Sequence, residues 1–294
     1  MKKIQYIIAV AAIIVIFVVS AGCTSSPNET CPVPTPVKNA IQPVSINATP
    51  VKYVEVNGAK IAYRDWGQGE PVLLLVGFGS NMDVAWNETF LGILASKYHV
   101  YTFDYPDIGF SGDYTTNVTP TIQRYSDDTA ALMSALGYDS MDVYGVSMGA
   151  SISQQLAFDH PERVRKLVLD SVTYSVRAPE AAGLLNSIQA VANGTLPEPP
   201  GIVKEAQANL AWNGSWDNLS GIHKDVMLVV GTADTATPQP IAAQMAGQID
   251  GSWLVRFKDL PHVGSRFAPV EYGENALDFL GMNETPPYQF PYQP

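Results

Sequence analysis

The chain has 294 residues, 46% of them apolar, which is ample for one large core or at most two domains. With 17 basic against 28 acidic residues the net charge is −11, which argues against a nucleic-acid surface and identifies no other partner. Only 15% of the residues are charged, so the surface must be polar by other means.

The N-terminal stretch MKKIQYIIAVAAIIVIFVVSAGC has two lysines, an almost unbroken apolar run from Ile7 to Val19, and then small residues. This is the layout of an export signal. Ser20, Ala21 and Gly22 lead into Cys23, and the stretch resembles a prokaryotic lipoprotein processing site, although Ser20 stands where leucine is commoner. The resemblance implies a lipid on Cys23. An uncleaved signal anchor is the alternative, since Ile4 to Gly22 is about long enough to cross a bilayer. Either reading gives an exported, extracytoplasmic protein held to the cell membrane through residues 1–23. Cys23 and Cys31 are the only cysteines, both before the folded region, so no disulfide is expected in the fold. No cluster with metal-ligand spacing occurs, and neither a metal nor a cofactor is expected.

The glycan-acceptor pattern N-x-[ST] occurs at Asn28, Asn47, Asn87, Asn117, Asn193, Asn213, Asn218 and Asn283, against about two expected by chance. A glycosylated surface accounts for the excess and for the scarcity of charge. The shared preference of Asn, Ser and Thr for turns accounts for a few of these sites.

Residues 24–50, rich in Ser, Thr, Pro and Asn, read as a flexible tether. The folded domain spans 51–283. VKYVEVNGAKIAYRDWG alternates about Asn57-Gly58, a two-residue hairpin signal. PVLLLVGFG reads as a strand buried on both faces. A helix (Val84 to Ser96), a strand (His99 to Asp104), a helix (Thr121 to Leu136) and the strand MDVYGV lead to Ser147. Beyond it come a helix (Met148 to Phe158), a strand (Val164 to Asp170), a strand (Asp225 to Gly231) and a helix (Gln239 to Gln248). A strand (Ser252 to Phe257) and a helix near Pro269 to Leu280 complete the series. Such alternation predicts an α/β fold, a mostly parallel central sheet with helices on both faces. Residues 171–224 break it with helical pieces (Ala178 to Val191, Ile202 to Leu210) and a Pro-rich joint, and read as a small helical lid. Leu184, Leu185, Ile188, Trp212 and Trp216 there suit either an apolar substrate pocket or packing of the lid on the sheet.

In VYGVSMGAS a serine stands between Gly145 and Gly149, on a turn between a buried strand and a helix. A nucleophile on a sharp turn needs small neighbours where a Cβ would clash, and this position exposes the Ser147 hydroxyl at the C-terminal end of the sheet. Of four histidines, His99 opens a strand, and His160 and His223 lie at the N-terminal ends of strands. His262, after the last strand, shares the edge of Ser147 and is the general base by elimination. Asp234, just past the strand ending at Gly231, suits the role of orienting the imidazole. Asp170 is its rival; the order Ser…Asp…His and the loop setting favour Asp234.

From about Val51 to Leu280 the chain resembles the α/β-hydrolase family in strand order, the GVSMG elbow, GTADTATP and PHVG. The resemblance implies an oxyanion hole from the backbone N–H groups of Phe78 and Met148. Val76-Gly77 replaces the His-Gly of many relatives, which removes a hydrogen bond bracing that loop. DYPDIGFS replaces D-x-R-G-x-G-x-S, with Pro106 and Asp107 in place of Arg-Gly, and Asp107 is expected to add negative charge near the mouth. What the resemblance implies is a serine hydrolase acting on a carboxylic ester or similar small acyl substrate through an acyl-enzyme. A non-catalytic binding module on the same scaffold, or an acyltransferase, are the alternatives.

Overall fold

The computed structural model describes residues 44–115 and 118–282. Cys23, Asn28, Asn117, Asn283, residues 1–23 and most of the tether lie outside them. Eight strands form one sheet: β1 (Lys52–Val56), β2 (Ala59–Trp66), β3 (Glu70–Leu75), β4 (Tyr98–Phe103), β5 (Met141–Val146), β6 (Val164–Asp170), β7 (Asp225–Gly231) and β8 (Trp253–Phe257). Their order is β1-β2-β4-β3-β5-β6-β7-β8. β1 pairs antiparallel with β2, and β2 with β4; every other pairing is parallel. The hairpin turn forms at Asn57 (φ 47°) and Gly58 (φ 85°), the two left-handed residues that a type I′ connection needs.

Among the described residues seven helices accompany the strands, six between them and the last after β8: α1 (Glu88–Ala95), α2 (Ile122–Ala135), α3 (Met148–Asp159), α4 (Ala182–Ala192), α5 (Pro200–Ala211), α6 (Gln239–Ala246) and α7 (Pro269–Leu280). The crossover from β3 to β4 runs one way along the sheet, and those from β4 to β5 and β5 to β6 run the other way. Right-handed crossovers then put α1 on one face and α2 with α3 on the opposite face. The contacts agree: α1 packs with α7, and α2 with α3. β3, β5, β6 and β7 are buried almost throughout, as strands covered on both faces must be. Because the chain leaves β3 and β5 in opposite directions, a crevice opens at their carboxyl ends, where open α/β sheets bind ligands.

Three boundaries differ by more than two residues from those read in the sequence. Helix α1 starts at Glu88 rather than Val84, because Asn81 O closes a turn on Val84 and Ala85, and Asn87 caps the helix by accepting Thr89 N–H at 2.8 Å. Residues 179–181 form a short 3₁₀ turn, so α4 begins at Ala182. The folded domain takes in residues before Val51: Ile46 is 4% exposed within the core, and its N–H donates to Glu88 Oε1 at 2.7 Å.

Candidate active site

Strand β5 ends in the turn that carries Ser147, whose φ of 55° and ψ of −116° are strained for a residue with a side chain. The strain is held by its surroundings. Ser147 N–H donates to Asp170 O at 3.0 Å, and Ser147 O accepts from Ala150 and Ser151 as α3 begins. A Cβ on Gly145 would collide with Ser153 Oγ and Gly149 O, and one on Gly149 with the carbonyls of Leu75 and Val76. At Gly77 it would stand 3.2 Å from Ser147 Cβ, a contact tight enough to press on the serine, so glycine lets the loop after β3 pass close beside it.

His262 and Asp234 arrive on the loops after β8 and β7. His262 Nε2 lies 3.1 Å from Ser147 Oγ, and Nδ1 lies 2.8 Å from Asp234 Oδ2. The Asp234 side chain is fully buried, and its other oxygen accepts Ala236 N–H at 2.9 Å and Thr237 N–H at 2.8 Å. Burial pushes the pKa of Asp234 up, but the hydrogen bond and charge of His262, with the bonds from Thr237, outweigh it and hold the carboxyl below its ordinary value. An ionised Asp234 accepts the Nδ1 proton and leaves Nε2 free to take one from Ser147. Backbone bonds tie the two loops together, Thr232 N–H to Phe257 O at 2.8 Å and Ala233 N–H to Leu260 O at 3.0 Å. Val263, next to the imidazole, sits at φ 57° and ψ 60°, costly for a β-branched residue, and is pinned by its N–H to Ser171 Oγ at 2.9 Å.

Asp170 does not touch the imidazole. It bonds Tyr144 Oη and Ser171 Oγ, each at 3.0 Å, and burial pushes it up to about 6. The remaining histidines are engaged elsewhere: His99 bonds Asp65 at 2.9 Å and His160 bonds Asp127 at 2.8 Å. His223 precedes β7 and lines a separate hollow at the other end of the sheet.

Phe78 and Ser147 line one cavity of about 160 Å³ together with Gly77, Ser80, His262 and Arg266. The N–H groups of Phe78 and Met148 donate to no acceptor among the described residues. Arg266 Nε donates to Ala85 O at 3.3 Å, Nη2 bonds Val84 O, and no carboxylate pairs with it among the described residues.

Two features of this region were not readable from the chain. Asp107 does not leave a free charge at the mouth: its side chain is 5% exposed and pairs with Lys204 of α5. The loop holding it is braced without the arginine, since Asp104 accepts Met82 N–H at 2.7 Å and Phe110 N–H at 2.8 Å. Glu205, also on α5, is completely buried, and its Oε2 accepts Gly79 N–H at 2.8 Å. An acidic residue in VKEAQANL reads as solvated, so no local signal marks it.

The lid apolars mostly pack on one another or on the core. Ile188 (1% exposed) joins Val191, Val176 and Ala206, with Leu184, Leu185 and Phe78 against them. Trp212 Nε1 donates to Gln155 Oε1 of α3 at 2.8 Å, and the exposed Trp216 packs at a tilt against Tyr174. Among the described glycan-acceptor sites, Asn193, Asn213 and Asn218 are exposed and Asn87 half-buried. Asn87 and Asn193 each turn the side-chain oxygen onto the N–H two residues on, which gives Asn-x-Thr a structural use there. Among the described residues no helix is long and apolar enough to cross a membrane.

Residues 70–193 match a family model described as alpha/beta hydrolase fold. A poly(3-hydroxyalkanoate) depolymerase from Ectopseudomonas oleovorans is 34% identical over 99 residues, 34% of this chain and 34% of that protein. The dihydrolipoyllysine-residue acetyltransferase component of an acetoin cleaving system from Cupriavidus necator is 33% identical over 126 residues, 42% of this chain and 32% of that protein. The chain thus spans about a third of the length of these curated relatives. Solved structures agree on the fold. The enol-lactonase from Burkholderia xenovorans LB400 superposes with a TM-score of 0.67 at 20% identity, covering 79% of this chain and all of the other. A thermophilic esterase from Thermogutta terrifontis gives 0.68 at 20% identity, covering 78% of this chain and 98% of the other. These solved structures show the fold that the chain shares with them.

Proposed function

Because the chain has the alpha/beta hydrolase fold, we propose that it is an exported serine hydrolase, tethered to the membrane, that cleaves a small carboxylic ester. The observation that carries this reading is the chain of contacts from Ser147 Oγ through His262 to buried Asp234. Ser147 gives its proton to His262 Nε2 as Oγ attacks the acyl carbonyl. The Phe78 and Met148 N–H groups, free of other acceptors, stabilise the tetrahedral oxyanion. His262 returns the proton to the departing alcohol, then draws one from water, whose oxygen hydrolyses the acyl-enzyme. Asp234 keeps the imidazole in the productive tautomer throughout. A cavity of about 160 Å³ suits a short group beside the scissile bond rather than a long acyl chain. The layout of residues 1–23 and the excess of acceptor asparagines support export, a lipid on Cys23 and a glycosylated surface; intact mass of the membrane-extracted protein tests all three.

The function is tested by labelling the folded wild type with an active-site-directed fluorophosphonate and by turnover of short aryl esters. Expected are a label on Ser147 and, for Ser147→Ala, a loss of about 10³-fold or more. An unlabelled, folded wild type overturns the reading in favour of a binding module. Diversion of the acyl group to an added alcohol in preference to water identifies an acyltransferase.

A further inference from the structure

Helix α5 meets the rest of the molecule along one side. Gly201, Lys204 and Glu205 recur at the three- and four-residue spacing that shares a helix face. A Cβ on Gly201 would collide with Asp107 O, so the helix lies directly on the loop after β4. Lys204 pairs with Asp107, and Ile202 covers Gly79. Glu205 reaches past them to the loop after β3, where Oε2 accepts Gly79 N–H at 2.8 Å.

Side-chain bonds hold the two ends of that loop, Tyr105 Oη to Val76 O at 3.2 Å and Met82 N–H to Asp104 Oδ1 at 2.7 Å, and Glu205 holds its middle. Its sequence, Gly77-Phe78-Gly79-Ser80, carries two glycines, with Gly79 at φ 66°, and one backbone turn closes it, Ser80 N–H to Gly77 O at 3.2 Å. Val76 precedes it where many relatives carry the bracing histidine. Glu205 costs stability where it is: among the described residues no cation pairs with it and its Oε1 has no partner, while Asp104, Tyr105 and Tyr125 lie near enough to disfavour its charge. A group so poorly solvated makes sense where its remaining bond has a use.

We propose that Glu205 is a positioning residue: from the lid it fixes the Phe78–Gly79 peptide, and thereby the direction of the Phe78 N–H beside Ser147. The oxyanion hole is then complete only while α5 is seated. This rests on the proposed hydrolase reading, in which the Phe78 N–H binds the oxyanion.

The test compares full-chain wild type, Glu205→Gln, Glu205→Leu and Glu205→Asp, each checked for folding by circular dichroism. Three quantities are read: kcat and KM for a short aryl ester, the rate of fluorophosphonate labelling, and hydrogen–deuterium exchange of the segment 76–81. Glu205→Gln keeps an acceptor and is expected within about threefold of wild type. Glu205→Leu, or the shorter Glu205→Asp if the leucine variant does not fold, is expected to lose about 10- to 100-fold in kcat and labelling rate. KM should stay within about threefold, and exchange at 76–81 should rise at least tenfold. Lys204→Met, which removes the ion pair to Asp107 while Glu205 keeps its bond to Gly79, should lower thermal stability and leave kcat within about threefold of wild type. Folded Glu205→Leu or Glu205→Asp with wild-type kcat and wild-type exchange overturns the proposal, as does an equal loss in Glu205→Gln. If the wild type itself neither labels nor turns over, the hydrolase reading fails, and the exchange measurement alone decides whether Glu205 holds the loop.

Discussion

The carboxyl of Glu205 lies 2.8 Å from the Gly79 amide, so a fully buried acid on α5 is bonded to the loop that passes Ser147. Burial, with Asp104 nearby, pushes its pKa up to about 8. The folded protein therefore keeps a proton there that the unfolded chain gives up near the ordinary carboxyl value. Stability should fall as pH rises from that value toward 8, then level off. Against Glu205→Gln, the wild type should lose up to about 1.4 kcal/mol per pH unit across this window. Thermal midpoints of both proteins at about pH 5, 6.5, 8 and 9 check the slope. The buried Asp170, raised to about 6, acts in the same direction in both proteins and cancels in the difference, whereas Asp104, also raised to about 6, interacts with Glu205 and contributes to the difference over the same window.

Asp234 and Asp170 separate by their partners. Asp234→Asn should deprive His262 of its ionised partner and lower kcat by about 10³- to 10⁴-fold with the fold intact. Asp170→Asn should keep most of the turnover, because that carboxyl bonds Tyr144 and Ser171. Steady-state kinetics of the two variants, side by side, distinguish orientation of the base from support of the elbow.

Asp107 and Lys204 form the ion pair between the lid and the loop after β4. Lys204→Met leaves a carboxylate nearly enclosed and without its cation, and should cost about 1–3 kcal/mol in urea unfolding. Adding Asp107→Asn should recover part of that loss, giving a coupling energy that the single variants lack.

Arg266 lines the cavity of Ser147, held by two backbone carbonyls and paired with no carboxylate among the described residues. Short esters bearing a free carboxylate should therefore be preferred over neutral esters of equal length. Arg266→Gln should narrow the ratio of kcat/KM between an acidic and a neutral ester by about tenfold, mainly through the acidic one. An unchanged ratio removes the arginine from substrate selection.

The sheet, the elbow and the order Ser147, Asp234, His262 were legible because each rests on local chemistry. An apolar run ending in G-x-S-x-G and a histidine beyond the last strand can be placed by counting strands. The left-handed Asn57-Gly58 hairpin declared itself in the same way. What stayed hidden lies in contacts between segments distant in sequence. Glu205 and Gly79 are 126 positions apart, and an acid on a short helix looks solvated until the helix is docked. Asp107 looked like a charge at the mouth because its cation stands 97 positions later. The start of α1 was misplaced for a nearer reason: the turn at Asn81 and the cap at Asn87 share the apolar spacing of the helix they precede.

The residues before β1 behave as a peg in a socket. Ile46 enters the core, Val44 and Ile46 both donate to Glu88 at the start of α1, and Thr49 accepts Trp66 Nε1 at 2.7 Å. A shortened chain beginning at Val51 would leave an empty apolar socket and an unbonded indole, and should melt lower than one that keeps Val44 to Pro50. Any truncation meant to keep the fold therefore belongs upstream of Val44.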